Sequence, residues 1–431
     1  MVLEPASIFL AAYWIGRHDG SMNGPDTLRA IELFVALLGI AGLVAILARP
    51  LRLPYTVALV AVGLVMGALA GVFGVGGGLA VTPELVLLVI LPGLVFEAAY
   101  RLRLAELRRW FSALVLLAVP GVLISASVVA LVLHLATGLR ADLALIAGAM
   151  VSATDPAAVV ATFKRLSVSR SLATLVDGES LLNDGTGLVL FAIAVRAVTE
   201  PVGPAEAVLS FVAAVVFSAA IGLLAGLLAA RLIGGVSDHL IELTISVVLA
   251  YGSYLVADHF GLSGVIATVT AAVVLGNYGP GRALTETGAD AIDTVWEFLA
   301  YLLTALVFLL VGLAIPPARL LGSLGPIVWA VAAMLVGRAL VVYVLLGAGS
   351  RFAPLPGLAA AMPGPWLHVL FWGGLRGAVA VAMALALPVD LPQRALLQDI
   401  TFGAVLFTLL VQATTIGRVV ERLRPAGVGP S

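Results

Sequence analysis

The chain has 431 residues, of which 62% are apolar and 11% charged, and its mean hydropathy is +1.16. A water-soluble domain carries roughly a quarter of its residues as charges, so a water-facing globule is excluded. A formal net charge of −1 leaves no basic patch for nucleic acid. The absence of cysteine excludes disulfides, thiolate metal sites and cysteine nucleophiles. The composition is that of an all-α polytopic membrane protein with no cofactor implied.

A membrane-crossing helix needs about 20 mostly apolar residues. Divided at charges, prolines and glycines, the sequence predicts thirteen such windows, at about 28–48, 54–72, 83–100, 110–136, 141–163, 171–196, 204–231, 239–257, 261–277, 291–314, 320–348, 365–388 and 395–418. Before them, residues 1–27 form an external or interfacial segment. Its apolar stretch Ser7–Gly16 is too short to cross and lacks the basic flank of a signal peptide. After the windows, 421–431 reads as a short tail. The run Gly74–Gly78 lacks a flanking strand and helix, so it reads as a flexible external loop and not a phosphate cradle.

The alternate loops that begin with Arg49 and Arg52 and end with Arg418, Arg422 and Arg424 collect fifteen basic residues, against six on the other side. Positive charge gathers on the cytoplasmic face. The bias predicts an external N-terminus and a cytoplasmic C-terminus, and an odd number of crossings agrees with it; the membrane expected is the plasma membrane.

Charges at membrane depth cost at least a few kcal/mol and point to function. Six stand out: Glu97, Asp155, Glu179, Asp184, Arg338 and Arg376. Four carboxylates face two guanidiniums, and the negative excess would suit a bound cation or proton. In the window 171–196, Ser180 and Asp184 lie one turn apart on one face, whereas Glu179 points roughly 140° away from Asp184. The Ser180/Asp184 stripe suits a hard cation that takes oxygen ligands. Glu179 is better placed to pair with an arginine on another helix. Pro156, directly after Asp155, interrupts the window 141–163 and leaves free carbonyls beside a carboxylate. Three glycines around Arg376 make 365–388 a second poor helix. The two interruptions fall an odd number of crossings apart, the pattern of inverted repeats whose broken helices meet at a transporter's midplane site. The five histidines are dispersed and give no zinc spacing, and Asp258, Asp290, Asp293 and Glu297 read as interfacial.

Thr154-Asp155-Pro156, the run Gly178-Glu179-Ser180 to Asn183-Asp184, and Gly373-Gly374-Leu375-Arg376-Gly377 together resemble the prokaryotic sodium/proton antiporters of the NhaP type, in the cation:proton antiporter 1 family. The resemblance spans about 28–420. It implies thirteen helices, split into a dimerisation scaffold and a mobile six-helix core at about 110–196 and 320–418, in which the two broken helices cross. It implies Asp184 as the main carboxylate for cation and proton, with Asp155, Ser180, the backbone carbonyl of Thr154 and Glu97 as neighbours. Asn183 resembles the electroneutral branch, which exchanges one cation for one proton. Glu179 resembles the structural partner of Arg338, and Arg376 the arginine near the crossing. The implied partners are Na+, with Li+ and K+ as alternatives, H+, membrane lipid and a second copy of the chain; nucleic acid is not among them. The resemblance is to transporters and not to enzymes. Potassium/proton exchange on the same fold is the main alternative. An aspartyl protease lacks a Gly-x-Gly-Asp run here, and a channel would not need titratable carboxylates at a helix break.

Overall fold

The computed structural model describes residues 24–51, 54–73, 82–166, 168–200, 202–278, 284–348 and 362–423. The interfacial stretch Ser7–Gly16, the loop Gly74–Gly78 and residues 424–431 of the expected tail lie outside them. In chain order the helices are α1 (Gly24–Leu51), α2 (Tyr55–Phe73), α3 (Leu85–Tyr100), α4 (Leu104–Thr137), α5 (Ala141–Met150), α6 (Ala157–Leu166), α7 (Arg170–Thr199), α8 (Pro204–Ile233), α9 (His239–His259), α10 (Gly264–Tyr278), α11 (Glu286–Ala314), α12 (Pro317–Gly322), α13 (Leu324–Gly347), α14 (Gly364–Trp372), α15 (Ala378–Leu385) and α16 (Arg394–Leu423). Among the described residues there is no strand.

Each expected window contains helix, and two of them are interrupted. Seven of the helices, α4, α7, α8, α9, α11, α13 and α16, are long and apolar enough to cross a membrane. Shorter apolar helices cover Phe34–Ala48, Tyr55–Leu69, α3, α5 and α10. The windows at 141–163 and 365–388 each resolve into two half-helices, α5 with α6 and α14 with α15. The reasons are local: Pro156 at one break, Gly373, Gly374 and Gly377 at the other.

The helices pack in two groups. One gathers α1, α2, α3, α8, α9, α10 and α11; the other gathers α4 to α7 and α13 to α16. Without a hydrophobic drive between helices in lipid, close approach depends on small residues. Between α2 and α11, Gly63 faces the backbone of Leu309 and Gly312, and a Cβ there would lie only 3.0 Å from the Gly312 Cα. α4 bends at Val119–Pro120, and the Ala118 carbonyl accepts a hydrogen bond from Thr186 Oγ1 of α7 at 2.6 Å. The bend fits α4 around α7, the helix that carries the central carboxylate.

Candidate ion site at the crossing of two broken helices

The two breaks, 151–156 and 373–377, cross and are joined by backbone: the Asp155 N–H donates to the Leu375 carbonyl at 2.9 Å. The Asp155 carboxylate then caps two half-helices. Its Oδ1 accepts from the Ala157 N–H at 2.9 Å and its Oδ2 from the Ala378 N–H at 3.4 Å, at the starts of α6 and α15. Both starts carry the positive ends of helix dipoles, which favour an anion. Gly377 is required by proximity, since a Cβ there would run into the Asp155 carboxylate.

The arginines sit where the half-helices end. Arg338 reaches from α13 to the Leu370 carbonyl near the end of α14, donating from Nε at 3.2 Å and Nη2 at 2.7 Å. Its guanidinium also forms a two-pronged pair with Glu179 of α7, with Nη2 2.9 Å from Oε2 and Nη1 bonded to Oε1. Arg376 is 1% exposed, lies in the second break and donates from Nη1 to the Gly374 carbonyl at 3.3 Å. Its backbone exchanges hydrogen bonds with Thr408 Oγ1 of α16 at 3.0 and 3.2 Å. Cations beside carbonyl ends and a carboxylate beside N–H ends are the arrangement the helix dipole favours.

α7 supplies the remaining groups. Asn183 grips the first break, accepting from the Thr154 N–H at 3.0 Å and donating to Thr154 Oγ1 at 2.6 Å. The Ser180 hydroxyl donates to the Thr154 carbonyl. Asp184 is 8% exposed, and its carboxylate makes no hydrogen bond or ion pair among the described residues. The charges that act on it are those of Asp155 and Arg376. Behind it, between α4, α7 and α13, is a water-sized cavity lined by Ser125, Ser152, Glu179, Asn183, Arg338 and Arg376, beside which Arg376 Nε has no partner.

Asp155, Thr154, Ser180, Asn183 and Asp184 are therefore brought together, with Arg376 at their edge and the Glu179–Arg338 pair on the opposite side of α7. Glu97 is not brought to Asp184. It pairs at 2.6 Å with Arg101, four residues on at the C-terminal cap of α3, and Arg101 also reaches Glu297 at 3.4 Å. An arginine four residues on from a glutamate on the same helix is the nearest available partner. With Glu97 engaged there, the crossing holds Asp155, Glu179 and Asp184 against Arg338 and Arg376, an excess of one negative charge.

Of the acids within the expected windows that the sequence reading did not single out, three lie within the packed helices. Glu242, 0% exposed, accepts from the Thr285 N–H at 3.2 Å and from Thr285 Oγ1 at 3.1 Å, tying α9 to the start of α11. Asp399, 2% exposed, accepts from Arg319 at 2.5 Å and Ser323 at 2.9 Å. Asp177 lies on α7 seven residues before Asp184, and that seven-residue spacing was the signal available for it.

A family profile described as "Sodium/hydrogen exchanger, transmembrane" matches residues 33–422. The chain belongs to the sodium/hydrogen exchanger family. Membership makes it a multi-pass membrane transporter and not an enzyme. It is 36% identical over 390 residues to the Na(+)/H(+) antiporter ApNhaP of Aphanothece halophytica, covering 90% of this chain and 73% of that one. It is 34% identical over 397 residues to the Na(+)/H(+) antiporter NhaH of Halobacillus aidingensis, covering 90% and 96%. The fold matches the sodium proton antiporter MjNhaP1 of Methanocaldococcus jannaschii with a TM-score of 0.74, over 92% of this chain and 99% of that one, at 18% identity. The family's fold is thus the fold of this chain.

Proposed function

We propose that this chain is a secondary antiporter exchanging Na+ for H+ across the plasma membrane, with Asp184 holding either the cation or the proton. The observation that carries the reading is the Asp184 carboxylate: buried, unpartnered, and set at the crossing of two broken helices. Leaving a carboxylate unpaired at such depth costs several kcal/mol unless a guest neutralises it. The oxygens around it, from Asp155, Ser180 and the Thr154 carbonyl, are ligands for a hard monovalent cation. The crossing carries one excess negative charge, which one Na+ or one proton cancels, and this supports one-for-one exchange.

The helix group α4–α7 with α13–α16 acts as the moving core, and α1–α3 with α8–α11 as the scaffold against which a second copy packs. The loop charges support an external N-terminus and a cytoplasmic C-terminus. The test is the internal pH of proteoliposomes after external addition of sodium, lithium or potassium. Proton flux driven by sodium, and lost in Asp184→Asn, is the expected result. Flux with potassium alone would make the chain a potassium/proton exchanger, and flux surviving in Asp184→Asn would overturn the site.

A further inference from the structure

The antiporter reading leaves Asp177 without a task. It precedes Asp184 by seven residues on α7, which brings it to within about 20° of the same helix face, roughly 10 Å nearer the start of the helix. Ser180, which holds the Thr154 carbonyl, lies between them on that side of the helix. α6 marks the same two levels: it begins where Asp155 caps it and ends near Lys164. The groups whose charges act on Asp177 are Glu97 of α3 and Lys164 of α6. Glu97 in turn feels Arg101 just past the end of its own helix, the same Lys164, and Glu297 and Asp293 of α11.

Of the two acids at this level, one is engaged and one is free. Glu97 is held by Arg101 at 2.6 Å. Asp177, half-buried, makes no hydrogen bond or ion pair among the described residues, and Lys164 does not close on it as a salt bridge. A purely structural acid at this depth would be paired. An unpaired one, aligned with the site two turns further in and flanked by an acid already neutralised, suits transient occupancy.

We propose that Asp177 is a waypoint: a second carboxylate, on the side where the basic loops gather, that receives the cation or proton before it passes to Asp184. The proposal rests on the antiporter reading of Asp184. At the waypoint the ion exchanges water ligands for a carboxylate oxygen, and no covalent bond changes. Its charge raises the local cation concentration at one entrance only.

The experiment measures the apparent KM for Na+ at each face, in everted and in right-side-out membrane vesicles from cells lacking their own sodium exporters. Asp177→Asn should raise the apparent KM roughly 3- to 10-fold at one face, the cytoplasmic one, with the maximal rate and the KM at the other face unchanged. Asp177→Glu should restore it. An unchanged KM at both faces, or an equal rise at both, would overturn the waypoint, because a structural defect has no sidedness. Asp184→Asn is run beside it: activity there would overturn the site on which the waypoint depends, whereas an inactive Asp184→Asn with an unaffected Asp177→Asn removes the waypoint alone.

Discussion

At Asp184 the conflict between stability and function is sharpest. A buried carboxylate without a partner destabilises the empty protein, and an amide of the same shape removes that charge. Asp184→Asn should therefore abolish sodium-driven proton flux while leaving the melting temperature in detergent unchanged or raised; a drop in melting temperature would assign the residue a structural role. Gly377 makes the opposite case. Any Cβ there meets the Asp155 carboxylate, so Gly377→Ala should cost about 1–3 kcal/mol in stability, the range of overpacked positions, and should lower exchange as well. Thermal melting beside transport would check both. Much of this was readable from residue types: Pro156 after Asp155, and Ser180 one turn from Asp184. The partner of Glu97 was not, because an acid at membrane depth looks alike in sequence whether its neighbour is an ion or Arg101. Asp177 lay within a window already read, and only its seven-residue spacing from Asp184 distinguished it.

Among elements, the Glu179–Arg338 pair ties α7 to α13, and Arg338 also satisfies the Leu370 carbonyl near the end of α14. Removing one member of a buried pair typically costs about 3–5 kcal/mol. Arg338→Ala should cost more than Glu179→Gln, since it also leaves a carbonyl bare. The double variant should be less damaging than the two single losses combined, because no orphan charge remains. A double-mutant cycle on thermal unfolding in detergent reads the coupling, and strict additivity would show that the pair contributes nothing as a pair. The angle alone, about 140° around the helix from Asp184, says that Glu179 stands too far to share the surroundings of Asp184; Arg338 as its partner followed only from the family resemblance. Both breaks were legible for the same local reasons that make them. What the sequence could not convey is how the breaks meet. The bond from the Asp155 N–H to the Leu375 carbonyl joins residues 220 positions apart, and main-chain contacts leave no trace in side-chain pattern.

For the whole molecule the charge count governs. If one monovalent guest neutralises the crossing in either loaded state, each loaded transition crosses the bilayer without net charge. A potential imposed with potassium and valinomycin should then leave the rate of sodium-driven exchange unchanged. A clear voltage dependence would mean that a second acid, Asp155 or Asp177, also cycles its charge. The helical windows were legible across the described residues because apolar length is a strong signal. The division of helices into two packed groups was expected only through the family resemblance and was not legible in composition, since a lipid-facing and a protein-facing apolar helix share one composition; Pro204–Ile233 and Arg394–Leu423 both read as spans, yet 11% of one hydropathic window is buried and 67% of the other.

The stitch between the two breaks is made of backbone, and this sets what can vary. Replacing Ser180 alters the oxygens offered to the ion, and replacing Asn183 alters how the Thr154 carbonyl is held, yet neither touches the Asp155-to-Leu375 hydrogen bond; proline at 155 would delete its donor. Ion preference can therefore drift in a lineage while the architecture that presents the ion stays constant. Sites of this kind are evolvable, because the part that specifies and the part that supports are written in different chemistry.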